Sequence, residues 1–170
     1  MGFLSTSELM QNARREEVVI PAFNIPYLPI MEPVIEALRS TDNFGLIAVA
    51  RPEWIKFGAG STRAVFEEYQ RVKDARFTRL HLDHVPVVDE DNLRVDYEAV
   101  IREAIQLGYQ SVMVDGSRLS MEENIQATRK VVQIAHAAGI PVEGVCNADR
   151  GRRGNRGVAS RASLEGHLPG

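Results

Sequence analysis

The stretch Arg79-Leu80-His81-Leu82-Asp83-His84, followed by Val85-Pro86, sets a carboxylate beside imidazoles in one short run. A carboxylate can take or give a proton, while a neighbouring neutral imidazole can hold a divalent metal. Residues 77–83 read as a short strand of alternating bulky side chains, and Pro86 argues against its continuation, so Asp83 and His84 are expected at its carboxyl end. That is the end at which α/β proteins do their chemistry. Taken alone, the two residues also suit a plain polar strand end.

The elements that must carry them follow in order. A helix over about residues 6–14 opens with the capping box Ser5-x-x-Glu8 and leads to Val18-Val19-Ile20-Pro21-Ala22-Phe23-Asn24, which reads as a buried strand ending in a polar residue. Ile30, Met31, Val34, Ile35 and Leu38 form a helical stripe, with Pro33 tolerable only near the first turn. Gly45 to Ala50 is the second strand, and a helix from Thr62 to about Lys73 turns Val65, Phe66, Tyr69 and Val72 inward. After the Asp83 strand, a helix carrying Tyr97, Val100, Ile101, Ala104 and Ile105 stops at Gly108. Ser111 to Asp115 is the next strand, and Ser120-x-x-Glu123 caps a helix whose inner face includes Ile125, Val132 and Ala135. Ile140 to about Val145 is the fifth strand.

Strands alternating with helices imply a parallel sheet with right-handed crossovers, either doubly wound or part of a (β/α)8 TIM barrel. Asn24, Asp83 with His84, Asp115 with Ser117, and Glu143 fall at or near carboxyl ends of successive strands, and a barrel gathers such ends round one mouth. The absence of Gly-x-Gly-x-x-Gly after the first strand removes support for a dinucleotide-binding sheet. A chain of 170 residues with one cysteine, Cys146, and a net charge of −3 fits a single-domain protein of a reducing compartment, expected in the cytoplasm, and argues against general nucleic-acid binding. Its longest clean apolar run, Phe44 to Ala50, is too short to span a membrane. Met1-Gly2 with Thr6 formally fits N-myristoylation, but the capping box accounts for the same residues.

The segment from Pro21-Ala22-Phe23-Asn24 through Val142-Glu143, with His81-Leu82-Asp83-His84, Gly108 to Ser117 and Glu123-Asn124-Ile125, resembles the N-terminal half of the class II, zinc-dependent fructose-bisphosphate aldolases and their tagatose-bisphosphate relatives. The resemblance implies a lyase of carbohydrate metabolism, including glycolysis, that cleaves a ketose bisphosphate reversibly to dihydroxyacetone phosphate and an aldehyde. It implies that Asp83 is the acid/base acting on the C4 hydroxyl, that His84 is a ligand of catalytic Zn2+, that Asp115 is a ligand of a second metal position, and that Asn24 faces the substrate. His81 would support the strand or a ligand. The full-length family is expected to be homo-oligomeric.

The sequence also departs from the pattern. Glu143 is followed by Gly144, Val145, Cys146 and Asn147, where the family usually carries Glu-x-Glu-Leu-Gly with the second Glu on the metal. On an ungapped reading, Val49 and Arg51 replace a Gln and a Ser that many relatives carry near the substrate. Residues 1–146 are therefore expected to be about five strands of the barrel, without the last strands that bear the other zinc histidines and the phosphate loops. Residues 147–170, with Arg150, Arg152, Arg153, Arg156 and Arg161 among glycines, read as a disordered tail from an out-of-frame or truncated gene, or alternatively as an Arg/Gly segment for RNA. The chain is expected to be an aldolase part that is inactive alone. The other reading is a non-catalytic half-barrel that acts only by protein association.

Overall fold

The computed structural model of the chain describes residues 3–145. Its strands β1 (Ala22–Asn24), β2 (Gly45–Ala50), β3 (Thr78–Pro86), β4 (Ser111–Asp115) and β5 (Val142–Val145) form one sheet in the order β1-β2-β3-β4-β5, every pairing parallel. Sequential order is the winding of a barrel, because a doubly wound sheet reverses direction at a switch point. Helices α1 (Thr6–Arg15), α2 (Met31–Ser40), α3 (Arg51–Ile55), α4 (Thr62–Val72), α5 (Tyr97–Leu107) and α6 (Met121–His136) precede or separate the strands.

Strand periodicity divides the sheet into two faces. Ile47 and Val49, Leu80 and Leu82, and Val112 and Val114 point to one face, where they join Ile35, Val65, Tyr69, Ile101, Ala104 and Val131 in a single buried cluster. The helices thus cover that face. The opposite face carries Ala48, His81, Ser111 and Met113, aligned by the pairings Ala48↔His81, His81↔Ser111 and Met113↔Glu143. At its amino end Arg79, only 4% exposed, donates to the carbonyls of Ala75, Thr78 and Leu4 and sits over the Phe44 ring, which ties the segment leading into α1 to the sheet.

Three sequence expectations need correction, and one element is added. The first strand is neither long nor buried: β1 has three residues, all exposed, and Val18 and Val19 lie outside it at 60% and 84% exposure. An apolar run does not by itself make a core strand: β1 is an edge with only β2 beside it among the described residues. Next, β3 does not stop before Pro86. Its pairing slips between Leu82 and Val85 and resumes at Val85↔Val114 and Pro86↔Asp115, where the proline's missing N–H falls at the strand's last residue. The short helix α3 was not anticipated, since five residues give too little periodicity to register. On α6, Ala135 is buried as expected, but Ile125 is 43% exposed and Val132 only partly buried, and the buried stripe runs through Asn124, Ala127, Thr128, Val131 and Ala135. Two polar members hid its phase. Residues 147–170, expected as a disordered tail, lie outside the described residues.

Candidate active site

The bulge in β3 builds the site. His84 adopts φ +39, a left-handed conformation unusual for a residue with a side chain, and the slip in register re-aims its ring toward β4. Its Nδ1 lies 3.2 Å from Asp115 Oδ2. Asp115 ends β4, and its other oxygen accepts the backbone N–H of Ser117 at 2.8 Å, so it caps the loop and faces the imidazole together. Burial works to raise the Asp115 carboxyl, but His84 and Ser117 prevail and hold it at about 2. The same contact with Asp115 raises His84 above the usual imidazole value, against the effect of burial.

Asp83 sits one residue before the turn. Asn24, from the end of β1, donates from Nδ2 to Asp83 Oδ2 at 2.9 Å, and His81 Nε2 lies 3.6 Å from Oδ1. Burial again acts to raise the carboxyl, but the neighbouring His81 and the Asn24 amide outweigh it, so Asp83 is held below the ordinary carboxylate value and is ionised at neutral pH. His81 is fixed behind it: Nδ1 lies 2.8 Å from Ser111 Oγ, and Nε2 lies 3.9 Å from Glu143 Oε2. The structure thus brings Asn24, Asp83, His84 and Asp115 to one cleft of about 470 Å3. That volume suits a small metabolite. Glu143 stands at its back through His81.

Sequence reasoning missed Glu53. It lies on α3, where its Oε2 accepts the Ala50 N–H and lies 3.4 Å from Asn24 Nδ2. Burial raises its carboxyl above the usual range, the nearby negative charge of Asp83 adds to this, and the two donors oppose it. Glu53 therefore shares the Asn24 Nδ2 with Asp83. Only the sequence separation of β1 from α3 concealed it. The Asp115-Gly116-Ser117 and Glu123-Asn124-Ile125 motifs also acquire a structural reason. Asn124 donates from Nδ2 to the Val145 carbonyl at 2.7 Å, and a Cβ at Gly116 would stand 2.2 Å from Asn124 Oδ1. Glycine lets the loop after β4 pass close to the Asn124 amide that ties α6 to β5.

A catalytic zinc needs about three protein ligands. Among the described residues no group of three or more His, Cys, Asp or Glu side chains is placed to hold a metal ion. His84 and Asp115 supply a pair, with His84 Nδ1 turned to the carboxylate, so these residues do not by themselves fit a catalytic metal centre.

A sequential parallel β/α sheet with polar groups gathered at its carboxyl ends defines a protein of the (β/α)8-barrel class. The model of the class-II fructose-bisphosphate aldolase family matches residues 4–151, and the chain belongs to that family. It is similar to 6-phospho-5-dehydro-2-deoxy-D-gluconate aldolase of Bacillus subtilis (strain 168), with 30% identity over 84% of this chain and 47% of that protein. It is also 27% identical to the D-tagatose-1,6-bisphosphate aldolase subunit GatY of Klebsiella oxytoca, over 96% of this chain and 54% of the relative. The crystal structure of fructose-bisphosphate aldolase from Campylobacter jejuni shares the fold at a TM-score of 0.66 and 22% identity, covering 87% of this chain and 48% of that one. The chain spans about half the length of the curated relatives it matches.

Proposed function

We propose that this chain carries the acid/base part of a ketose-bisphosphate aldolase site. The observation that supports it most is the Asn24–Asp83 contact at 2.9 Å, which fixes an ionised carboxylate at a strand end inside the cleft. In cleavage, Asp83 takes the proton of the C4 hydroxyl as the C3–C4 bond breaks: the C4 oxygen becomes the aldehyde carbonyl, and the C3–C4 electron pair stays on the dihydroxyacetone phosphate half as its enediolate, which is then protonated at C3. In condensation it returns that proton to the new hydroxyl oxygen. A positioned group of this kind contributes roughly 10² to 10⁴-fold. Asn24 orients the carboxylate and presents its amide to the substrate.

By resemblance to the family, His84 would be a ligand of a catalytic zinc and Asp115 a ligand of a second metal position. With two such groups among the described residues, the set is short of a working centre. The 170-residue chain is accordingly proposed to be inactive alone. The test is to fuse it in frame to the C-terminal half of a class II relative and follow ketose-bisphosphate cleavage. Activity that Asp83→Ala abolishes, with the fold kept, supports the reading. Activity that is indifferent to Asp83→Ala overturns it.

A further inference from the structure

Glu53 stands beside the cleft without a part in the acid/base step. It is the third residue of α3, and its Oε2 accepts the Ala50 N–H at the entry to that helix. A helix cap needs no more than this. Yet the same oxygen lies 3.4 Å from Asn24 Nδ2, whose other carboxylate neighbour is Asp83 Oδ2 at 2.9 Å. Strand register brings the three together, since Asn24 stands beside Ala48 and Ala50 stands beside Asp83.

A primary amide carries two N–H donors on its nitrogen and an acceptor on its oxygen. With a carboxylate for each donor, the Asn24 nitrogen is fully used within the protein. A flipped amide would instead set Oδ1 against Glu53 and Asp83 at once, acceptor facing acceptor, and lose both hydrogen bonds. Asn24 is exposed and lines the cleft, and its Oδ1 accepts no hydrogen bond among the described residues. The oxygen is what remains for a ligand.

We infer that Glu53 is a positioning residue, which together with Asp83 binds the Asn24 nitrogen so that Asn24 offers a ligand an acceptor and selects a hydroxyl there over an oxyanion. This rests on the aldolase reading and deepens it from the proton transfer to the recognition of the carbon chain beside it. A hydroxyl delivered to Asp83 has a neighbouring hydroxyl on the same chain, which Oδ1 can receive. The charges of Asp83 and Glu53 act in the same direction, because they repel an oxyanion that would need the amide as its donor.

The test is NMR of the metal-free 170-residue chain, following the side-chain N–H protons and the side-chain carbonyl carbon of Asn24. Glu53→Ala is expected to quicken solvent exchange of those protons roughly tenfold, the scale of one hydrogen bond to a charged group. Glu53→Gln, which keeps an oxygen acceptor, is expected to retain most of the protection, and backbone shifts of β2 and β3 verify the sheet in both variants. Faster exchange at the Ala50 N–H with the Asn24 side chain unchanged would overturn the inference, because Glu53 would then be a helix cap alone. Two probes test the acceptor. Glycerol is expected to shift the Asn24 carbonyl carbon, and to do so less in Glu53→Ala, whereas inorganic phosphate leaves the Asn24 side chain unmoved. No response to glycerol, or a shift of the Asn24 side-chain protons by phosphate, would overturn it. The two readings fail separately. A fused chain without cleavage counts against the aldolase assignment and leaves the Asn24 amide fixed by Glu53, whereas an Asn24 amide indifferent to Glu53 removes Glu53 and leaves cleavage untouched.

Discussion

Asp83 takes its character from groups both near and far in sequence. Asn24 comes from β1 and His81 from two residues earlier on β3, and Glu53, on a helix after β2, steadies Asn24. The identity and position of Asp83, His84, Asp115 and Asn24 were legible because each ends a strand-like run. What the sequence could not disclose was their pairing. His84 meets Asp115 only because β3 bulges at φ +39, and no residue type announces a bulge in advance. One consequence can be measured. Asn24→Ala removes a donor that favours the charged carboxylate, so the Asp83 titration followed by carbon NMR should move upward, toward the ordinary value. An unchanged midpoint would mean that Asn24 does not set the state of Asp83.

Among the elements, those with local signals were readable and those defined by their neighbours were not. Ser5 with Glu8 and Ser120 with Glu123 form the capping boxes their spacing implies, and Gly108 ends α5 at φ +108. In contrast, β1 ends up exposed and α6 is rotated relative to its apolar residues, since burial is decided by what packs alongside. The turn between α4 and β3 supplies a pH test. Asp74 Oδ2 accepts from Arg76 at 2.8 Å and lies 3.3 Å from Arg39 Nε, which joins this turn to α2. The Arg76 side chain above all, then its backbone N–H, and Arg39 hold the Asp74 carboxyl far below its ordinary value. A depressed carboxyl contributes stability that is fully present above its unfolded pKa of about 3.9 and is lost as pH falls through the folded value. Urea midpoints taken from pH 6 down to pH 2 should therefore fall less steeply in Asp74→Asn than in the unaltered chain. Parallel acid limbs would show that the Asp74 contacts add nothing.

For the molecule as a whole, the edges of the sheet decide how it behaves in solution. Among the described residues β1 pairs only with β2 and β5 only with β4, so each leaves backbone groups on one side without a strand. Beside β1 lies an apolar hollow of about 290 Å3 lined by Phe23, Val34, Ala37 and Leu38. Open strand edges next to exposed apolar surface promote association. Sedimentation velocity should show concentration-dependent self-association of the 170-residue chain, reduced by Phe23→Lys on the exposed edge. A monomer at all concentrations would contradict this. The proposed catalysis is limited likewise, because Asp83 lines the cleft while no group of three or more His, Cys, Asp or Glu side chains among the described residues is placed to hold a metal ion. The most direct measurement is the steady-state cleavage of fructose 1,6-bisphosphate and tagatose 1,6-bisphosphate by the 170-residue chain with zinc supplied. No turnover above the buffer rate is expected. Turnover that disappears with a chelator and with Asp83→Ala would contradict it, by showing that the chain assembles a complete aldolase centre by itself.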